Sequence, residues 1–71
     1  MTDERFMRLV AKRIREFRAN RGFTQEQMQN YGFNYRYYQL IESGEVNLTL
    51  KTVNRIANAF KISARDIFDF D

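Results

Sequence analysis

The 71-residue chain contains no cysteine, no histidine and no proline. Without a thiol or an imidazole, it cannot form a disulfide, a cysteine nucleophile, a histidine base, a haem ligand or a zinc site built on soft ligands. Without proline, only glycine and capping residues mark where its helices end. We therefore expect no enzyme, no metal site, no cofactor and no small-molecule ligand.

The chain also lacks a long apolar run. No stretch approaches the roughly 20 apolar residues that a membrane span requires. Its first segment, MTDERFMRLV, carries acids where a secretory signal peptide would carry only basic charge. We expect a cytoplasmic protein without a membrane partner.

The residues that are present have globular proportions, with 44% hydrophobic and 30% charged. A chain this short buries only about 60% of its unfolded surface, so we expect a single domain over residues 1–71. The net charge is +3, but residues 1–36 hold eight Lys/Arg against four Asp/Glu (+4), and residues 37–71 hold four against five (−1). A basic half suggests a polyanion partner, although from charge alone solvated helix faces are the simpler interpretation.

Apolar spacing predicts a first helix over Asp3–Asn20, with four residues on one face: Phe6, Val10, Ile14 and Phe17. Gly22 then interrupts the pattern and can take the left-handed conformation that ends helices. Thr24 is a candidate helix cap, and Gln27, three residues later, can complete a capping box. We therefore predict a short second helix over residues 25–31.

The stretch NYRYYQLIE, residues 34–42, places three tyrosines around one arginine, a composition that favours a β-strand by propensity alone. Asn34, however, is a good helix cap, and Gly44 can end a helix. Helical spacing puts Tyr38 and Ile41 on an inward face, with Tyr37 partly included. We predict a third helix here, and not a strand or a stacking surface for single-stranded bases.

Two further helices follow a loop at residues 44–47. Thr49 can cap a fourth helix whose apolar residues keep helical spacing: Leu50, Val53, Ile56, Ala57 and Phe60. Ser63, with Asp66 three residues later, can cap a short fifth helix that contains Ile67 and Phe68. The sequence therefore predicts five short helices in one all-α unit.

Four segments, in this order, resemble the Cro/cI-like (Xre-type) phage repressor family: KRIREFRANRGFTQEQM (12–28), GFNYRYYQLIESGE (32–45), NLTLKTVNRIANAF (47–60) and ISARDIF (62–68). The resemblance implies an all-α, compact five-helix Cro/cI repressor-like domain with a helix-turn-helix over about residues 24–43, whose third helix lies in the major groove. Between Thr24 and Gly44 the chain is one residue shorter than the family pattern. Met28 or Gln29 falls where a small alanine usually lets the second helix approach the third. If the shortening lies in the second helix or the turn, we expect the third helix to enter the groove at a slightly altered tilt, with its register from Asn34 to Gly44 unchanged.

The resemblance assigns base contacts to the outward side of the third helix: Tyr35, Arg36, Gln39 and Leu40. Arg36 can donate two hydrogen bonds to guanine, and Gln39 can pair with adenine. The alternative for Arg36 is a salt bridge to a nearby glutamate. Tyr35 reaches a base or a phosphate, or is buried in the core, and Leu40 faces a thymine methyl or the core.

Phosphate contacts are expected from both edges of the helix-turn-helix: Thr24, Gln25, Asn34, Tyr37, Ser43, Asn47, Thr49 and Lys51. The first two resemble the family's clamp at the start of the second helix, where free N–H groups favour an anion. Tyr37 has packing against the second helix as its alternative. Arg13 and Arg15 are expected to add charge from the first helix, and each of these residues can also be an ordinary solvated side chain.

Arg18 and Glu42 match the positions at which the family forms a structural ion pair between the first and third helices. We therefore assign this pair to the architecture of the domain and not to DNA binding. Breaking a buried ion pair from one side costs roughly 3–5 kcal/mol.

The end of the chain is more apolar than one short helix can easily hide, with three residues predicted at an interface: Ile67, Phe68 and Phe70. Members of the family usually dimerise on half-sites about 34 Å apart. We expect a homodimer through the fifth helix and the exposed side of the fourth. The alternative is that these side chains close the monomer core.

The leading hypothesis is a sequence-specific transcriptional regulator that binds double-stranded DNA. A restriction-modification controller protein is the favoured subtype, because the loop before the fourth helix, NLTLKT, resembles that group; a phage repressor or an antitoxin fits nearly as well. The second hypothesis is a protein-interaction module that keeps the fold without specific DNA binding. An enzyme is the weakest hypothesis, because the chain has no histidine, cysteine, Gly-rich phosphate loop or convincing carboxylate pair.

Overall fold

A computed structural model describes residues 1–70 of the chain, which form five helical segments. They are α1 (Asp3–Asn20), a 3₁₀ helix (Glu26–Tyr31), α2 (Tyr35–Ser43), α3 (Leu50–Phe60) and α4 (Ala64–Ile67). These residues contain no strand, and none of their helices is long and apolar enough to cross a membrane. The predicted all-α, five-helix fold is confirmed, and the tyrosine-rich stretch is a helix.

The second helical segment is wound more tightly than predicted, as a 3₁₀ helix instead of an α-helix. The predicted capping box is present: Thr24 Oγ1 accepts a hydrogen bond from Gln27 N–H at 3.1 Å, and Gln27 Oε1 accepts one from Thr24 N–H at 2.7 Å. A 3₁₀ helix rises about 2.0 Å per residue against about 1.5 Å in an α-helix. The segment is therefore longer for its number of residues than an α-helix would be. Met28 is fully buried and Gln29 is exposed, so Met28 is the residue that packs against the core.

Side-chain caps begin the other helices. Asn34 and Thr49 start α2 and α3 as predicted, by accepting hydrogen bonds from backbone N–H groups three residues later. Asp66 accepts a hydrogen bond from the Ser63 N–H at 3.0 Å at the start of α4. The cap of α1 was not predicted: Thr2 Oγ1 accepts a hydrogen bond from the Arg5 N–H at 3.1 Å. Caps of this kind typically contribute about 1 kcal/mol each.

The core lies where α1, α2, α3 and α4 meet and includes the predicted inward residues of α2. Seven large side chains have almost no exposed surface: Tyr38, Phe60, Ile14, Met28, Ile41, Ile56 and Ile67. Full burial of such a side chain contributes about 1.5–3 kcal/mol. Within this core, α2 packs chiefly against α1 and the 3₁₀ helix, which contributes Met28.

Two residues of the predicted apolar stripes lie outside this core. Leu50 is 84% exposed and Phe6 is 43% exposed. Both are near the start of their helices, one turn before the first buried residue of each, Val53 in α3 and Val10 in α1. Helical spacing identifies the correct face of a helix but not how far along the helix a partner element reaches.

α1 crosses the end of α2 at short distance. Gly44 ends α2 with a φ of +81°, and a Cβ atom added there would lie 3.3 Å from the Cα of Arg8. A larger residue would therefore be strained by its backbone conformation and would also press on α1. This contact fixes the middle of α1 beside the C-terminal end of α2.

Candidate nucleic-acid interface

α2 has one buried face and one exposed, polar face. The cap at Asn34, whose side-chain oxygen accepts a hydrogen bond from Tyr37 N–H at 3.0 Å, sets the register of the helix. That register puts Tyr38 and Ile41 in the core. Three of the four predicted base-contact residues are on the exposed face: Tyr35, Arg36 and Gln39.

Arg36 has no partner among the residues that the structure describes. Neither of the two salt bridges within residues 1–70 involves it, and its side chain makes no hydrogen bond there. The alternative of a salt bridge to a nearby glutamate is therefore not realised in this part of the chain. The five N–H donors and the positive charge of its guanidinium are open to solvent.

The other predicted DNA contacts on α2 differ in their exposure and in whether their side chains already make hydrogen bonds. Leu40 was predicted either to face a thymine methyl or to lie in the core, and it is half-buried. Tyr37 is exposed. Ser43 closes the helix: its Oγ donates to the Leu40 carbonyl at 2.6 Å and accepts from the Glu45 N–H at 3.2 Å. The Ser43 hydroxyl, predicted to contact phosphate, is thus engaged within the chain.

A buried polar cluster holds the inner side of α2. Glu42 is only 2% exposed, and its carboxylate accepts hydrogen bonds from Arg18 Nε at 2.7 Å, Arg18 Nη2 at 3.1 Å and Gln25 Nε2 at 3.0 Å. Arg18 Nη1 also donates to the Phe23 carbonyl at 2.7 Å. The Arg18–Glu42 pair therefore joins α1 to α2, and Gln25 extends the connection to the start of the 3₁₀ helix.

The cluster changes the protonation behaviour of two of its members. The hydrogen bond to Glu42 raises the pKa of Arg18 above its ordinary value. Burial, and secondarily the Glu42 carboxylate, raises the pKa of Tyr38 far above that of a free tyrosine. Arg18 stays charged and Tyr38 stays neutral at physiological pH, yet the buried Tyr38 hydroxyl has no hydrogen-bond partner within residues 1–70.

A shallow concavity of about 600 Å³ brings predicted phosphate and base contacts together at the start of the 3₁₀ helix. Thr24, Gln25 and Tyr35 line it, beside Arg18. Gln25 uses its amide nitrogen on Glu42, so its side-chain oxygen is the part left for another contact. Glu26 also lines the concavity and adds a negative charge there.

The loop before α3 supplies the predicted contacts on the other edge of the site. Asn47, Thr49 and Lys51 are exposed. The Thr49 hydroxyl accepts from the Thr52 N–H at 3.1 Å and lies 3.0 Å from Thr52 Oγ1, so it is occupied by the cap of α3. Asn47 and Lys51 keep free side chains within residues 1–70.

The two arginines of α1 expected to add charge have partners inside the chain. Arg13 donates from Nε and Nη2 to the Asp66 carbonyl at 3.2 Å and 2.8 Å, which joins α1 to α4. Arg15 donates from Nη1 to the Glu42 carbonyl at 2.6 Å, at the C-terminal end of α2, where the helix dipole favours a cation. Arg13 is therefore an architectural residue, whereas Arg15 is exposed apart from this contact.

At the chain end, the structure removes one residue from the predicted dimer interface. Ile67 is 0% exposed and belongs to the monomer core, because the short α4 turns it inward. Phe68 stacks on Phe6 of α1 with ring centroids 6.2 Å apart, and Phe70 lies 5.7 Å from the same ring. These contacts agree in part with the alternative, in which the two phenylalanines cover the core of the monomer. Phe68 nevertheless remains partly exposed.

An apolar groove of about 410 Å³ adjoins these rings, between the start of α1 and the start of α3. Phe6, Met7, Val46, Leu50 and Phe68 are among the residues that line it. Helical spacing predicted Leu50 on the apolar face of the fourth helix, and this groove was not predicted. Its only sequence signal is an apolar residue directly after the cap of α3.

Comparisons with known proteins agree with this geometry. The helix-turn-helix family HTH_3 matches residues 14–67 of the chain. Two uncharacterized HTH-type transcriptional regulators from Archaeoglobus fulgidus are each 38% identical to it over 60 residues, covering 83% of this chain and 86% and 84% of theirs.

Two solved structures have the same fold. An HTH_3 family transcriptional regulator from Vibrio cholerae superposes with a TM-score of 0.84 at 28% identity, covering 94% of this chain and 38% of that one. The hypothetical transcription factor NHTF from Neisseria has a TM-score of 0.83 at 23% identity, covering 96% of this chain and 79% of that one, and shows likeness of fold. Together with the family match, these relatives confirm the resemblance found in the sequence. The chain therefore belongs to the HTH_3 (Xre/Cro/cI-type) helix-turn-helix family of non-enzymatic, DNA-binding transcriptional regulators.

Proposed function

We propose that this chain recognises a specific operator sequence in double-stranded DNA, with α2 in the major groove. The observation that carries the proposal is the division of α2 into a fixed face and a free one. Arg36 is exposed and unpartnered within residues 1–70, on a helix whose opposite face is held by the core and by Glu42. The major groove is about 12 Å wide and admits a single helix of this kind.

The exposed side chains of α2 divide the reading of bases among them. Arg36 donates to O6 and N7 of a guanine, a contact worth about 1–3 kcal/mol of discrimination against other bases. Gln39, three residues further along α2, pairs with an adenine. Tyr35 lies beside Thr24 and Gln25 and contacts either a base or the phosphate next to it.

Phosphate contacts at the two edges of the site fix the register of α2 on the duplex. On one edge we assign them to Thr24 and the side-chain oxygen of Gln25. On the other edge we assign them to Asn47, Lys51 and, through its backbone, Thr49. Three further groups are weaker contributors: the Asn34 amide nitrogen, the Tyr37 hydroxyl and the Ser43 hydroxyl. The side chains of Asn34 and Ser43 already make hydrogen bonds at the two ends of α2.

We further propose that the regulator binds as a homodimer through the apolar surface formed by Phe6, Leu50, Phe68 and Phe70. In a two-fold symmetric dimer each contact occurs twice. The protruding Leu50 of each copy can therefore enter the apolar groove between α1 and α3 of the other copy. Two half-sites about 34 Å apart would then be read together. Sedimentation at micromolar concentration tests this interface, with dimers expected for the natural chain and monomers for Leu50→Asp. A monomer mass for the natural chain contradicts it.

A restriction-modification controller protein, a phage repressor and an antitoxin would all bind DNA with this surface. The proposal therefore covers a regulator that occupies an operator, of which these are subtypes. The rival function is a protein-interaction module in which the exposed face of α2 contacts a protein. The rival predicts neither a dependence on DNA sequence nor the steep loss of affinity with salt that phosphate contacts produce.

Selection of binding sites from a random pool of double-stranded DNA tests the proposal directly. We expect an enriched motif with two related half-sites, each containing a guanine whose enrichment is lost with Arg36→Ala. The matched control is Arg65→Ala, which removes an exposed arginine of α4 and should return the natural motif. A pool without enrichment contradicts the proposal and favours the protein-interaction module.

A further inference from the structure

α1 carries a further basic surface, of which only Arg15 has been described above. Four basic residues recur along it at intervals of three and four, and therefore share one helix face: Arg5, Arg8, Lys12 and Arg15. We name these four residues the α1 stripe. All four are exposed, and within residues 1–70 none takes part in a salt bridge.

The other arginines of α1 are used differently. Arg18 is paired with Glu42, and Arg13 bonds the Asp66 carbonyl and lies 3.6 Å from Glu16. Glu16, which borders the α1 stripe, is thus already paired on its other side. Within residues 1–70, the basic residues of α1 that make no salt bridge are therefore those of the α1 stripe.

The α1 stripe is continuous with the helix proposed to read bases. Arg15 Nη1 reaches the Glu42 carbonyl in the last turn of α2 at 2.6 Å. The backbone at Arg8 packs against Gly44, where an added Cβ would come within 3.3 Å of it. Arg8 and Arg15 therefore both lie beside the C-terminal end of α2, and Arg5 extends the stripe about one turn further along α1.

We infer that the α1 stripe binds the phosphate backbone of the same duplex, outside the half-site that α2 reads. The inference rests on the proposed function and adds to it a longer, sequence-independent footprint. From Arg15 to Arg5 the stripe extends about 15 Å, at 1.5 Å per residue. That length corresponds to about four base pairs of flanking DNA at 3.4 Å each.

The composition of the stripe favours phosphate over an acidic protein surface as its partner. Protein interfaces depend on buried aromatic or apolar anchors, surrounded by a polar rim. The α1 stripe has only Lys and Arg, whose charge is sufficient for phosphate contacts that release counterions. The exposed apolar side chain Phe6 points instead to the groove at the chain end, where it stacks on Phe68.

The test compares two double variants that remove the same charge. Arg8→Gln/Lys12→Gln neutralises the middle of the α1 stripe, and Lys61→Gln/Arg65→Gln neutralises two exposed residues at the end of α3 and in α4. Each takes the formal net charge from +3 to +1, since each removes two positive charges. Affinity is measured between 50 and 200 mM salt on two duplexes with the selected site, one ending at the site and one with ten further base pairs on each side. Circular dichroism confirms that both variants are folded.

On the longer duplex, we expect the natural chain to lose roughly tenfold more affinity over this salt range than Arg8→Gln/Lys12→Gln. The reason is that each phosphate contact contributes about 0.9 to the slope of log affinity against log salt, and two contacts are removed. On the shorter duplex the difference should disappear. The Lys61→Gln/Arg65→Gln pair should keep the natural dependence on flank length.

Equal salt slopes for the two double variants on the longer duplex would overturn the inference, because net charge and not the stripe would then explain the loss. Unchanged affinity of Arg8→Gln/Lys12→Gln on both duplexes would also overturn it and favour an acidic protein partner. Both results leave site selection intact. Failure of the proposed function is a separate observation, because the natural chain would then enrich no site at all.

Discussion

The two sides of α2 use the same kinds of side chain in opposite ways. On the inner side, the guanidinium of Arg18 makes three hydrogen bonds and the Glu42 carboxylate accepts three. On the outer side, Arg36 makes none within residues 1–70. Arg18 holds α2 in position, and this position leaves the guanidinium of Arg36 free to contact another molecule. In this nine-residue helix, the inner side therefore stabilises the domain and the outer side is left for recognition.

This separation has a physical basis. A buried charge is tolerated only when it is paired and hydrogen-bonded, so any group on the inner side must find its partners within the chain. An exposed charge has water as a partner and can exchange that water for a base or phosphate. Burial therefore predicts which substitutions should lower stability and which should lower only DNA affinity.

The largest expected effect is on the inner side. Glu42→Ala should lower the free energy of unfolding by about 3–5 kcal/mol, because Arg18 would lose its partner in a mostly buried site. Urea denaturation measures the loss. The matched control is Gln39→Ala on the outer side, an exposed position expected to change stability by no more than about 0.5 kcal/mol. Equal shifts in the two variants would remove the distinction between the two sides.

The next effect is on the outer side and should leave stability unchanged. Arg36→Ala should weaken binding to the selected operator by about 1–3 kcal/mol, because one bidentate contact to guanine is lost. Its urea midpoint should equal that of the natural chain, since the side chain has no partner within residues 1–70. Titration calorimetry and urea denaturation together check the prediction. A loss of stability comparable to the loss of affinity would assign Arg36 to the fold.

The smallest effect concerns the Tyr38 hydroxyl, a group of the inner side without a hydrogen-bond partner within residues 1–70. Tyr38→Phe removes a buried hydroxyl without a hydrogen bond and should raise the free energy of unfolding by about 1 kcal/mol. Thermal and urea denaturation both report the change. A fall of about 1 kcal/mol or more would mean that the hydroxyl donates to Glu42 and contributes to the cluster.

The parts of the fold that local rules determine could be predicted from the sequence. The bounds of α1, the caps at Asn34 and Thr49, and the inward position of Tyr38 follow from spacing and capping chemistry. The assignment of Arg18 and Glu42 to one ion pair required the family resemblance, because 24 positions separate them. Local patterns contain no information about pairs so far apart in the chain.

The remaining features depend on what surrounds each residue after folding. The second segment is wound as a 3₁₀ helix, which its capping residues and apolar spacing do not specify. Ile67 is buried and Leu50 exposed, although both lie on apolar helix faces, because partner elements cover α4 and not the start of α3. The hydrogen bond from the Gln25 amide nitrogen to Glu42 was not predicted, and it leaves the side-chain oxygen for the proposed phosphate contact. Each of these outcomes is set by tertiary contacts, which spacing alone does not report.

The most direct test of the account is the specificity of Arg36→Ala at each base pair of the selected half-site. Affinities of the natural chain and the variant are measured on every single-base-pair change of the site at one salt concentration. We predict that the variant loses discrimination at a single guanine–cytosine pair and keeps the natural preferences at all other positions. A uniform loss of affinity at every position would contradict the account, because Arg36 would then contact phosphate and α2 would not read the sequence through it.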